Sequence, residues 1–167
     1  VTLVSSLTPV APSLALLVTV RPEPHGAAAG AATGRHDVAD LVLSRASLEA
    51  AAERWTTDPW TALVVRTLPN DPSKRGRAYD GDCPAPYFTP DAMRWVVSRD
   101  VASLVVDLPS LDRADDGGTL AAHRVFWGLP AGVRDARKAA RGRALVTELA
   151  YVPESAPDGL YLLELHV

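Results

Sequence analysis

Three short apolar runs constrain this chain more than any other feature: residues 14–20 (LALLVTV), 60–66 (WTALVVR) and 102–106 (ASLVV). Each is a continuous apolar stretch of strand length, and so reads as a strand buried inside a sheet. Helical signals lie between them. After a short strand at residues 40–43, Ser47 is placed to cap a helix. Its apolar face would be Leu48, Ala51, Ala52 and Trp55, and it should end near Trp55 or Thr56, before Pro59. Thr89 caps a second helix, with Pro90 at its first position and Asp91 in its first turn. Met93, Val96 and Val97 face inward, and the helix gives way to the next strand near Asp100. Strands alternating with helices point to an α/β domain. Two later strands, residues 144–150 and 160–167, are joined by a turn at 153–159 and are expected to pair antiparallel. The sheet should therefore be mixed, with flanking helices. A length of 167 residues suits one domain.

The connections differ in character. Residues 21–34 are rich in Pro, Ala and Gly, include His25, and read as a low-complexity loop. Residues 68–90 hold five of the 14 prolines. A loop of that length is functional or disordered; Tyr87 and Phe88 as anchors favour an ordered excursion. It serves either as a substrate-side or subunit-contact loop or as a solvated connector. Residues 134–143 are basic and Ala-rich, which suggests an exposed helical turn with a solvated charged face.

Composition excludes several function classes. The net charge of −3, with Lys and Arg scattered, gives no footprint for nucleic acid. Cys83 is the one cysteine, so no internal disulfide forms and a cytoplasmic location is the default. The first 20 residues are apolar, but Pro9, Pro12 and several Ser and Thr break them up. They read neither as a membrane span nor, lacking a basic start, as a signal peptide.

Residues able to do chemistry gather at 105–128 (VVDLPSLDRADDGGTLAAHRVFWG). Pro109 ends the preceding strand, and Asp107 is placed to cap the loop. Ser110 and Asp112 follow just beyond the strand end, either as contacts to a substrate or to the groups that hold it, or as loop caps. Asp112, Asp115 and Asp116 mimic part of a calcium loop without its twelve-residue pattern or terminal glutamate. His123 sits among apolar residues, as a metal ligand or proton carrier, or as a core-edge histidine bonded to a backbone carbonyl. Glu148 lies on an apolar strand and needs a partner, which a metal or an arginine would supply.

The motif Asp-Leu-Pro-Ser-Leu-Asp at 107–112, then an acidic, glycine-bearing gap and His123-Arg124, resembles the second half of the cyclase family. That family includes kynurenine formamidase-like and isatin hydrolase-like metal-dependent amidases. Residues 144–149 (ALVTEL) resemble its glutamate-bearing strand, and residues 157–163 (PDGLYLL) its next hairpin. The likeness runs over roughly residues 41–167, with an insertion at 129–142. It implies a swivelling β/β/α domain in which His123 and Glu148 are metal ligands and catalytic groups. The ion would be zinc or manganese. The reaction would be hydrolysis of a C–N bond in a small amide or cyclic amide, arylformamidase activity as in tryptophan catabolism, and the protein a homo-oligomer. The family's signature H-x-G-T-H-x-D-x-P-x-H is missing: neither His25 nor His36 has the required partners. The chain is therefore expected to hold the C-terminal two-thirds of such a protein, or to be a shortened relative without the first half of the metal site. A non-catalytic binding or oligomer-forming subunit is the second reading.

Overall fold

The computed structural model describes residues 11–27, 37, 40–80 and 83–165. His36, Asp82, His166 and Val167 lie outside these residues. The three apolar runs become the centre of a five-stranded sheet: β1 (Ser13–Val20), β4 (Ala62–Thr67) and β6 (Ser103–Val106). All three are parallel, with Leu16, Leu63 and Leu104 in register. A separate three-stranded sheet joins β2 (Glu23–Pro24), β3 (Leu41–Leu43) and β5 (Tyr87–Phe88).

Three helices connect the parallel strands: α1 (Arg45–Ala52), α2 (Pro90–Ser98) and α3 (Ala121–Trp127). The large sheet runs β7 (Leu145–Thr147), β6, β4, β1, β8 (Gly159–Leu163). Successive parallel strands are thus added on one side only, and right-handed crossovers then place all three helices on one face. The core fills that face. Leu16, Val18, Val20, Leu63, Val65, Leu104 and Val106 point toward Leu48, Met93, Val96 and Phe126. The alternation along each strand is the period-two rule of a pleated sheet.

The expected mixed sheet is present, but its last two strands are not neighbours. β7 adds parallel to β6 at one edge, and β8 adds antiparallel to β1 at the other. The turn at 153–159 is therefore a crossing over the ends of the strands, held by Arg66. The Arg66 guanidinium donates to the carbonyls of Pro153 (2.7 Å) and Ala156 (2.8 Å), to Thr19 Oγ1 and to Asp158.

Other corrections are local. Ser44, not Ser47, caps α1: the chain leaves β3 in an extended conformation and Ser44 Oγ accepts the Ser47 N–H. Thr89 caps α2 as expected, accepting the Ala92 N–H. Residues 134–143 form one turn of 3-10 helix at Ala136–Lys138, and the basic run is not wholly solvated. Arg141 turns inward, stacks over Phe126 at 4.8 Å and donates to the carbonyls of Phe126 and Val101. Gly128 makes this return possible. It adopts φ 62° at the end of α3, and a Cβ there would meet Ala140 Cβ at 3.1 Å.

The described residues of the proline-rich excursion are tied into the fold. Tyr87 and Phe88 are buried, and a 3-10 turn at Pro72–Gly76 places Lys74 in the interior. Lys74 Nζ donates to Thr67 O (2.6 Å), Thr67 Oγ1 (2.7 Å) and Asp107 Oδ2 (2.7 Å). Asp107 is therefore not a loop cap. It is the buried counterion of Lys74, and it also accepts the Thr67 N–H.

Candidate functional site

In an open sheet of parallel strands, functional groups collect beyond the carboxyl ends of the strands. Here β6 delivers residues 107–112 to that end, and β7 delivers Glu148 one residue past its last position. The segment 107–112 is held from several sides. Phe88 N–H donates to Leu111 O, and Leu149 N–H to Leu108 O, both at 2.9 Å. Leu108 and Leu111 are buried in the main core.

His123 comes from the first turn of α3. Phe126 and Ala122 anchor that helix in the core, while Trp127 packs on the His123 ring with centroids 5.2 Å apart. This orientation carries the imidazole to the strand ends. Its Nδ1 lies 2.6 Å from Asp112 Oδ2 and its Nε2 lies 3.3 Å from Glu148 Oε1. Asp112 is almost wholly buried, whereas the Glu148 side chain keeps 30% of its exposure. Burial of the His123 ring pushes its pKa down. The hydrogen bond and charge of Asp112, with the charge of Glu148, outweigh burial, and the net shift is upward.

Of the four residues singled out in the sequence, three meet in one cluster. Asp112, His123 and Glu148 are in contact. Ser110 is adjacent to it, its Oγ accepting the Asp112 N–H at 3.1 Å. Glu148 also accepts the Leu111 N–H at 3.0 Å. Asp112 spends its acceptors internally: Oδ1 on Ala122 N–H (2.6 Å), Oδ2 on His123 N–H (3.2 Å) and the His123 ring. Asp116, from the acidic stretch, caps the loop through Gly118, Thr119 and Leu120 N–H groups.

One brace next to this cluster is not signalled by any local motif. Arg113 Nε donates to Asp40 Oδ2 at 2.7 Å, and the buried Tyr87 hydroxyl donates to the same carboxylate at 3.0 Å. The three residues are scattered along the chain; the pairing of β3 with β5 brings Asp40 near Tyr87, and the Phe88 N–H on Leu111 O ties the loop that carries Arg113 to the same sheet. Burial of Asp40 raises its pKa, but the bonds from Arg113, the Asp37 N–H and Tyr87 prevail and leave it lowered. A carboxyl with a depressed folded pKa contributes stability above its unfolded value of about 3.9, and loses it as pH falls through the folded value. We expect the urea midpoint of the protein to drop more steeply below about pH 4 than that of Asp40→Asn, which has no such charge to lose. Parallel slopes for the two proteins would show that Asp40 does not drive the acid response.

The donor set fits one side of a metal centre. The 3.3 Å between His123 Nε2 and Glu148 Oε1 is about the spacing of two ligands at roughly 2.0–2.1 Å on a tetrahedral ion. A carboxylate on Nδ1 is the usual outer partner of a metal-bound histidine. Among the described residues, no group of three or more His, Cys, Asp and Glu is arranged to hold an ion. Among the same residues, no helix is long and apolar enough to cross a membrane.

Comparison with known proteins bears on the same region. A family described as "Putative cyclase" matches residues 14–113, that is β1 through the Asp112 loop. The match begins earlier than the likeness read from the sequence motifs and stops before His123 and Glu148. No curated protein matches the chain. Among solved structures, a "predicted metal-dependent hydrolase from Bacillus stearothermophilus" superposes over 90% of this chain and 53% of its own, at TM-score 0.50 and 11% identity. A "potential metal-dependent hydrolase with cyclase activity" superposes over 90% of this chain and 54% of its own, at TM-score 0.49 and 11% identity. The chain thus spans about half the length of these structures. At such low identity the first likeness speaks for the shared fold alone.

Proposed function

Since the chain belongs to the cyclase family, we propose that it carries one half of a divalent-metal centre in a hydrolase acting on the C–N bond of a small amide or cyclic amide. The observation that supports this reading is the placement of His123 Nε2 beside Glu148 Oε1 at the carboxyl end of the sheet, with Asp112 behind the ring. A bound zinc or manganese ion would polarise the scissile carbonyl and lower the pKa of a bound water. His123 and Glu148 would hold that ion, and further ligands would have to come from outside the pair. Glu148 also keeps enough exposure to accept a proton at Oε2 from the reacting water or to pass one to the leaving nitrogen. Ser110 Oγ already accepts a hydrogen bond, which leaves its proton to donate to a substrate carbonyl or carboxylate. An aromatic formamide is the substrate we take the site to serve, with Trp127 as the aromatic side chain beside His123.

The test is hydrolysis of a panel of N-formyl arylamines and small cyclic amides by protein supplied with zinc or manganese. We expect turnover that falls more than about 100-fold in His123→Ala and in Glu148→Gln. Turnover that is unchanged in both variants would remove the cluster from the reaction. One observation favours a second reading, a binding or oligomer-forming relative without catalysis. The described residues supply two donors, where catalytic sites use about three. Binding of amides without turnover at any metal concentration would select that reading.

A further inference from the structure

Helix α3 begins in an unusual way. Leu120 at its N-cap lies at φ 49° and provides no side-chain cap. The N–H groups of Ala122 and His123 are instead taken by Asp112, ten and eleven residues upstream. The same carboxylate meets Nδ1 of the His123 ring at 2.6 Å. Its neighbour in the chain, Leu111, donates its N–H to Glu148. Two adjacent residues of one loop therefore grip both members of the His123–Glu148 pair. The loop is itself fixed by Ser110 Oγ on the Asp112 N–H, by Phe88 N–H on Leu111 O and by Arg113 on Asp40.

We infer that Asp112 is a positioning residue for His123, setting the proton of the neutral ring on Nδ1 and turning the Nε2 lone pair toward Glu148. The inference deepens the metal-centre reading of this site, but its geometry does not depend on it. Two carboxylates compete for the ring proton. Asp112 is nearer, at 2.6 Å against 3.3 Å, and more buried, so its bond is the stronger. Glu148 also takes the Leu111 N–H and keeps solvent exposure, whereas among the described residues the hydrogen bonds of the Asp112 carboxylate all go to α3. A fixed Nδ1–H leaves Nε2 as the acceptor atom, which metal binding and proton uptake both require.

Substitution by asparagine makes the inference sharp. An amide has one acceptor oxygen, and the shorter of the two backbone bonds, Ala122 N–H to Oδ1 at 2.6 Å against His123 N–H to Oδ2 at 3.2 Å, favours that oxygen at the Oδ1 position at the expense of the His123 N–H. The amide nitrogen then faces Nδ1 as a donor, and the ring must carry its proton on Nε2. The experiment is nitrogen NMR of histidine-labelled full chain, without added metal, at an alkaline pH where the ring is neutral. We expect His123 as the Nδ1–H tautomer in the native chain and as Nε2–H in Asp112→Asn. Titration with zinc chloride should show affinity about 10–100-fold weaker in the variant. A native ring already protonated on Nε2 would overturn the inference without recourse to any variant. So would an unchanged tautomer in a folded Asp112→Asn. If the tautomer switches while the native chain takes up no zinc, the positioning role stands and the metal reading falls.

Discussion

Asp107→Ala should destabilise the protein by about 3–5 kcal/mol, the cost of removing one partner of a buried ion pair. Lys74 has almost no solvent exposure and places all three of its ammonium donors on Thr67 and Asp107. Without Asp107 its charge has only neutral oxygens to face, and Thr67 N–H and Oγ1 lose their acceptor too. The strands β4 and β6 and the excursion at 68–90 all end on this one contact, so the loss is felt at the carboxyl end of the sheet. Lys74→Met alone should also destabilise, by stranding the carboxylate. The double variant, with both charges replaced by apolar groups, should recover most of the stability of the native chain. Urea unfolding of the four proteins closes the cycle. Additive losses in the double variant would show that the two charges do not depend on one another.

Arg66→Ala should be the second large loss, on the order of 3 kcal/mol. Arg66 is buried on the sheet face away from the helices, in register with Thr19. It closes residues 153–158 over the strand ends by bonds to two carbonyls, a hydroxyl and Asp158. Arg66→Lys should recover little, because a single ammonium lacks the fork that reaches these acceptors together. The crossing segment follows Glu148 in the chain, so its release should also loosen the Glu148 end of the site. Proteolysis at residues 150–158 should rise in both variants while the core helices stay protected. Unchanged protection there would mean that Arg66 contributes only burial.

The elements that the sequence makes legible are those decided by local rules. Continuous apolar runs gave β1, β4 and β6, and a Thr-Pro-Asp start gave α2 with its cap. The cluster of His123 with Glu148 was legible only through family resemblance, because 25 residues and an insertion separate the two. What stayed hidden depends on partners distant in the chain. Nothing near Asp107 indicates that Lys74 will be buried against it, so the local sequence favours a loop cap. Ser44 outcompetes Ser47 because β3 ends one residue before it, a boundary set by pairing with β5 rather than by propensity. The separation of β7 and β8 to opposite edges has the same origin. A short connection usually means a hairpin, but the Arg66 network carries this one across the sheet.

Metal content of the purified chain, read by mass spectrometry beside His123→Ala and Glu148→Ala, tests the central claim most directly. The account predicts near-stoichiometric zinc or manganese in the native chain and its loss from both variants. A metal-free protein, equally folded in all three forms, would contradict it.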